Sequence, residues 1–410
     1  MRTGFSDAQE ALSWLYSMQW HGVKLGLENV RELMQRLDLP GPQRFIHVAG
    51  TNGKGSTCAF AHALLTHGVG MRAGLFTSPH LMHFSERIRD AERCLSGDEL
   101  REGLGRLREV AEAMERMPTF FELTVALGLD WFRARQLPWA VLEVGLGGRL
   151  DATNVVTPEV CVVTSISRDH ASILGEDVRQ IAREKAGIFK PGVPVVTGPQ
   201  AEGVLEVLEA VAREKGAAFH VVEEPWTGGA LGLAGVHQRW NAALAVAAVQ
   251  AAGFSLDPEA VAGALEATRW AGRFQRWDAG LVLDCAHNPD GVAVLTRTWL
   301  EEMGEARPVL VAAMAADKEV EEMTALLGQL KPAAWVLPRG LGPRLLAPEE
   351  LARVVRDHAP AAEVVVADSV AEAIQRARSR GGSVLVAGSI FLVGEALAQL
   401  QGEVFEKSAQ

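Results

Sequence analysis

From about residue 45 onward, short apolar, β-branched runs alternate with longer stretches whose apolar residues recur every three or four positions. The runs at 45–49, 71–77, 140–144, 160–166 and 193–197 read as strands, and stretches such as 59–65 and 125–132 read as helices. Strands that are apolar at every position, without alternation, belong to a parallel sheet covered by helices on both faces. A second series follows at 281–285, 309–313, 334–337, 363–367 and 383–387, again separated by helical segments such as 371–379. Residues 268–280 carry neither period, and the junction between the two series is expected there. The pattern predicts an α/β protein of two unequal units, residues 1–270 and 271–410.

Composition narrows the class. Of the 410 residues, 48% are hydrophobic and 22% charged, the mixture of a globular protein and not of a disordered one. Forty Lys and Arg against 51 Asp and Glu give a net charge of −11, so the chain has no bulk attraction for nucleic acid or an anionic membrane. Any polyanion it binds must be captured locally. Cys58, Cys94, Cys161 and Cys285 lie far apart, which argues against a disulfide framework and a thiolate zinc site. The first residues lead into a mixed helix with no apolar signal region, and no apolar run approaches the roughly 18 residues that span a bilayer. A soluble, cytoplasmic, monomeric protein acting on small molecules is the expectation.

The strongest local signal is Gly50-Thr51-Asn52-Gly53-Lys54-Gly55-Ser56-Thr57, set after a strand and before a helix expected to begin near Thr57. Glycines let backbone N–H groups turn inward around phosphate oxygens, and a helix N-terminus adds partial positive charge. Lys54 is placed to reach the outer phosphates, with a hydroxyl of Ser56 or Thr57 near a magnesium ion or a phosphate. The spacing is shorter than the common G-x-x-x-x-G-K-[ST], but the context points to a nucleoside triphosphate.

Three charged residues stand where charge is costly. Glu143 interrupts the apolar run Ala140-Val141-Leu142-Glu143-Val144, which precedes the turn Gly145-Leu146-Gly147-Gly148-Arg149. A buried carboxylate must be paired or neutralised; magnesium is one partner and Arg149 the alternative. His170 follows the strand at 160–166, at the end of a parallel sheet where ligands gather. Lys185 shares the helical face of Val178, Ile181 and Ala182. A buried lysine finds a carboxylate, loses its proton or is modified, for instance by carbon dioxide to a carbamate. Pattern alone favours a simpler outcome, in which the stem is buried and the head reaches water.

These stretches together resemble the folylpolyglutamate synthase and dihydrofolate synthase family of Mur-type ATP-dependent ligases. Matching motifs include Thr77-Ser78-Pro79-His80, the run from Glu143 to Asn154, Asp169-His170, the run from Arg183 to Phe189, Gly272-Arg273-Phe274-Gln275 and Asp284-Cys285-Ala286-His287-Asn288-Pro289. The resemblance implies a two-domain Mur-ligase-like architecture: a P-loop parallel-sheet ATPase domain followed by a smaller Rossmann-like domain. It implies ATP contacts from Asn52, Gly53, Lys54, Gly55, Ser56, Thr57, Asn241, Arg273 and Asp284. Magnesium, two ions in all, would be held by Ser78, Glu143 and His170, with potassium as a further cation. Lys185 matches the lysine carbamylated in the family, which reverses the pattern-only reading; Lys54, Glu143, His170 and Lys185 are thus the expected catalytic set.

The same resemblance assigns pteroate contacts to Leu25, Gly26, Leu27 and Glu28, to Thr119, Phe120, Phe121 and Glu122, and to Leu150, Asp151 and Ala152. His287 and Ser389 are candidates for the incoming glutamate. One departure stands out: glycine often follows the aspartate of the Asp284 motif in the family, and here it is Cys285, which puts the angles of that turn in question. The implied reaction joins L-glutamate to dihydropteroate, to folate, or to both, through an acyl phosphate. Alternatives are polyglutamylation alone, a nucleotide-dependent regulatory ATPase, and a muramyl ligase, which the position of the phosphate loop at residue 50 argues against.

Overall fold

The computed structural model describes residues 4–18, 26–39, 41, 43–168, 175 and 177–406. One sheet contains β1 (Arg44–Ala49), β2 (Ala73–Phe76), β3 (Ile88–Arg89), β4 (Trp139–Glu143), β5 (Val160–Val163), β6 (Val195–Thr197) and β7 (Phe219–Val221). Its order is β3-β2-β4-β1-β5-β6-β7, parallel throughout except for β2 against β3. The other sheet contains β8 (Gln275–Asp278), β9 (Leu281–Leu283), β10 (Val309–Ala312), β11 (Ala334–Pro338), β12 (Val364–Ala367) and β13 (Val384–Ala387). It runs β12-β11-β10-β13-β9-β8, parallel except for β8 against β9.

The continuous apolar runs are explained by cores on both faces. In β4, Ala140 and Leu142 enter one hydrophobic cluster while Trp139 and Val141 enter another, so every side chain of the strand up to Leu142 is removed from water. The same division occurs in β13, with Leu385 and Ala387 on one face and Val384 and Val386 on the other. Burying a single Leu or Val side chain contributes about 1.5–3 kcal/mol, and each of these strands makes several such contributions.

The stretch 268–280, which carries neither period, contains β8 as an edge strand against β9. One expectation required revision. The helix after the phosphate loop is Lys54–Ala63, three residues earlier than expected near Thr57. Gly53, at φ 86°, occupies its N-cap in the left-handed conformation that glycine adopts without penalty, which lets the helix begin at once.

Strand order sets where a ligand can sit. The chain leaves β1 toward β2 and β4 toward β5, on opposite sides, although β1 and β4 are neighbours. A crevice therefore opens beyond their carboxyl ends, the usual binding position in an open α/β sheet.

Candidate active site

That crevice is a cavity of about 460 Å³ between the two sheets. One wall is the phosphate loop from Gly50 to Ser56, with Ser78, Glu143 and Lys185. The facing wall includes Arg273, Asp284, His287 and Ile390, and a third side carries His237, Gln238 and Asn241.

The loop's glycines are required by close approach. A Cβ on Gly53 would stand 2.5 Å from Asn241 Oδ1, and one on Gly50, at φ 151°, would overlap Thr164. Lys54 Nζ folds back to donate to the carbonyls of Gly50 at 3.0 Å and Thr51 at 2.9 Å. Ser56 and Thr57 are buried in the first helical turn, and the Thr57 hydroxyl has no hydrogen-bond partner.

Glu143 is the last residue of β4 and is buried. Its Oε2 accepts a hydrogen bond from Ser78 N at 3.1 Å. Burial pushes its pKa up, against the opposing fields of Lys54, Arg273 and Arg87 and the Ser78 bond. Arg149 does not pair with it: that guanidinium binds Glu184 at 2.9 Å instead. A carboxylate so placed is under-compensated at the cavity floor, which suits a cation.

Lys185 lies in the helix Val178–Ala186, and its head does not reach water. The side chain is only 4% exposed, and Nζ donates to Gly50 O at 2.8 Å. Its helix is held against the turn after Glu143 by backbone packing. A Cβ on Gly148 would lie 2.8 Å from Glu184 O and 2.9 Å from Lys185 O, and one on Gly187 would overlap Arg149. Arg149 N also donates to Glu184 O, and Asn154 Nδ2 to both Arg149 O and Gly187 O. The two longest sequence motifs thus form one packed unit under the phosphate loop.

On the opposite wall, both Asp284 oxygens accept backbone bonds, from Phe274 N at 2.7 Å and Ala286 N at 2.8 Å. Burial raises its pKa while Arg273 pulls it down. Cys285 does not sit at positive φ, so the turn keeps ordinary angles without glycine. The unusual angle falls instead on Phe274, at φ 42°. Burial pushes the Cys285 thiol up to about 12, so it stays protonated. His287 lines the cavity, with Nδ1 2.9 Å from Cys285 O, whereas buried Ser389 caps the helix Ile390–Gln401.

None of the remaining predicted contacts among the described residues lines the cavity. Thr119 caps the helix Phe120–Ala134 reciprocally with buried Glu122, which also accepts from Asn29 Nδ2. Gly26 and Leu27 lead into the helix Glu28–Arg36. Phe120 packs in the core, and Phe121 lies where a Cβ on Gly145 would go. Leu150 is half-buried, Ala152 begins the short 3₁₀ turn Ala152–Val155, and Asp151 is engaged by Leu146 N and Thr153. Leu25, Asp169 and His170 lie outside the described residues. Among the described residues, no three His, Cys, Asp or Glu side chains form a metal-sized group.

Sequence reasoning missed His237, which lines the cavity, and Asn288, which lies against the phosphate loop. His237 is held neutral, its pKa pushed down to about 4 by burial and the charges of Arg273 and Arg297. Its only signal was a polar position within a helical pattern. Asn288, buried, pairs with the phosphate-loop Asn52; it had appeared only as part of a motif.

Models of the Mur ligase middle domain and the Mur ligase glutamate ligase domain match residues 48–197 and 272–390. The dihydrofolate synthase/folylpolyglutamate synthase of Bacillus subtilis is 31% identical over 97% of this chain and 100% of its own length. The chain belongs to the folylpolyglutamate/dihydrofolate synthase family. As a member of that Mur ligase family it is an ATP-dependent ligase. Solved structures of the family overlay closely. A Mycobacterium tuberculosis folylpolyglutamate synthase complexed with ADP and AMPPCP has a TM-score of 0.89 at 30% identity, covering 98% of this chain and 100% of that one. Escherichia coli FolC in complex with DHPP and ADP gives 0.86 at 31% identity, covering 96% and 98%.

Proposed function

We propose that this chain joins L-glutamate to dihydropteroate, to a reduced folate, or to both, using ATP to activate the acceptor's carboxylate. One observation carries the reading: the carboxyl ends of two parallel sheets face a single cavity, with the phosphate loop, Glu143 and Lys185 on one side and Asp284 and His287 on the other.

A carboxylate is a poor electrophile with a poor leaving group. Attack of its oxygen on the γ-phosphorus of ATP releases ADP and leaves an acyl phosphate. The glutamate amine then adds to the acyl carbon, the C–O bond to phosphate breaks, and an amide and phosphate result. Phosphoryl transfer depends mainly on positioning and charge neutralisation. Loop amides and Lys54 hold the phosphates, Asn241, Arg273 and Asp284 hold the rest of the nucleotide, and the two walls keep water from the acyl phosphate. His287 and Ser389 are assigned to glutamate, and Leu25 to Glu28, Thr119 to Glu122 and Leu150 to Ala152 to the pteroate.

Glu143, an under-compensated buried carboxylate that accepts from Ser78 N, suits magnesium, and the resemblance assigns Ser78 and His170 as its other ligands. When bound, the metal supplies positive charge to the transferring phosphoryl group. Buried Lys185 is assigned to carbamylation, in which Nζ adds to the carbon of carbon dioxide and releases a proton. Potassium is a further cation of this reading. Residues 1–270 and 271–410 are taken as the two domains, and the enzyme as a cytoplasmic monomer. Its buried free thiols Cys58, Cys161 and Cys285 suit a reducing compartment.

The test is ADP release. A ligase accelerates it only when pteroate or folate and glutamate are both present, whereas a nucleotide switch hydrolyses ATP at the same rate without them.

A further inference from the structure

Where the phosphate loop meets the second sheet, the side-chain amides of Asn52 and Asn288 are in direct contact. Asn288 Nδ2 donates to Asn52 Oδ1 at 3.1 Å, and Asn52 Nδ2 donates back to Asn288 Oδ1 at 3.4 Å. Gly291 N also donates to Asn288 Oδ1 at 2.8 Å, which fixes that amide's orientation and caps the helix Pro289–Met303. Asn288 is buried, with 1% of its surface exposed.

The Asn52 end is equally constrained. Ser165 Oγ donates to Asn52 O, Asn52 Nδ2 reaches Ser167 Oγ at 3.5 Å, and Thr51 exchanges two hydrogen bonds with Ser167. One amide pair therefore links the phosphate loop, the segment after β5, and the helix that follows Asp284 on the opposite sheet.

A helix N-cap needs only an acceptor, which serine or aspartate supplies as well as asparagine. The cap does not use Nδ2, so the amide does something the cap does not require. We propose that Asn288 is a positioning residue whose amide pair with Asn52 holds the second sheet's wall against the phosphate loop while the acyl intermediate awaits the amine. The inference rests on the ligase reading. Without the pair the walls part more often, and water enters. Water then adds to the acyl carbon, the C–O bond to phosphate breaks, and carboxylate and phosphate leave with no amide formed.

Asn288→Ser keeps a capping acceptor and deletes the amide donor. The purified full-length chain is assayed with ATP, magnesium, dihydropteroate or tetrahydrofolate, and glutamate, counting ADP released and glutamate incorporated. Wild type is expected to release one ADP per glutamate. The variant is expected to release two or more, with kcat/KM for glutamate about fivefold lower, the scale of one neutral hydrogen bond. A purely structural residue would change the melting midpoint and leave the ratio at one, and that result overturns the proposal. If Asn288→Ser does not fold, Asn288→Asp is read instead: it keeps the cap and one bond, a raised ratio supports the proposal, and an unchanged one overturns it. A wild-type protein that releases ADP but incorporates no glutamate overturns the ligase reading itself, and is told apart because it needs no variant.

Discussion

Replacing Lys185 with methionine separates a structural lysine from a catalytic one. Methionine keeps most of the volume of the buried stem, so the packing cost stays below about 1.5 kcal/mol. The lost bond is a charged one to Gly50 O, in the range of about 1.5–3 kcal/mol. Because Lys54 Nζ also donates to that carbonyl, the carbonyl is not orphaned, and the low end applies. Loss of that bond accounts for about tenfold in an equilibrium that uses the loop, while the packing cost is read in folding stability. Residues that orient a metal's surroundings cost about 10–100-fold on replacement, and the two effects together predict a turnover loss near 100-fold or beyond. The assays are ADP release with all substrates present and nucleotide affinity by calorimetry. Turnover should collapse while affinity stays within about tenfold. Carbon dioxide-depleted buffer should slow wild type, with bicarbonate restoring it. Turnover of Lys185→Met within about tenfold of wild type would refute the carbamate role.

Three further outcomes follow from the geometry. Gly148→Ala sets a Cβ 2.8 Å from Glu184 O and 2.9 Å from Lys185 O, backbone atoms that cannot step aside; we expect about 1–3 kcal/mol of destabilisation in denaturant melts and slower turnover. Glu143→Gln removes a charge that burial disfavours, so the melting midpoint should hold or rise while ADP release falls at least about 100-fold, an oxyanion-stabiliser-sized loss. For His83, burial works to lower the pKa, but Glu403, Glu406 and Glu86 outweigh it and raise it. Its contribution to stability is therefore complete below the unfolded-state pKa and lost as pH rises through the higher folded one; His83→Gln should flatten that slope in melts across this window.

Much of the architecture can be read from periodicity because parallel strands buried on both faces leave an apolar signature that few other elements share. Ala140 to Leu142 and Val384 to Ala387 are of this kind. The edge strands escape it. In β8 the run Gln275-Arg276-Trp277-Asp278 alternates half-buried with exposed positions, and in β7 His220 and Val221 face water, so neither resembles an apolar run. The phosphate loop was legible because glycine and lysine have few reasons to occur in that order after a strand. The burial of Glu143 was legible from its apolar neighbours, but not that Arg149 would choose Glu184, 35 residues further along the chain. His237 and Asn288 were illegible for a different reason: each acquires meaning only from groups on the facing sheet, more than 35 residues away in the chain.

The central claim is that nucleotide energy is used here to extend an acid by one amino acid. Mass spectrometry of the products, after incubating the protein with ATP, magnesium, glutamate and either dihydropteroate or tetrahydrofolate, tests it directly. The account predicts that at least one of the two grows by one glutamyl residue, only when ATP is present. Neither acceptor gaining mass, while ATP is still consumed, would contradict it.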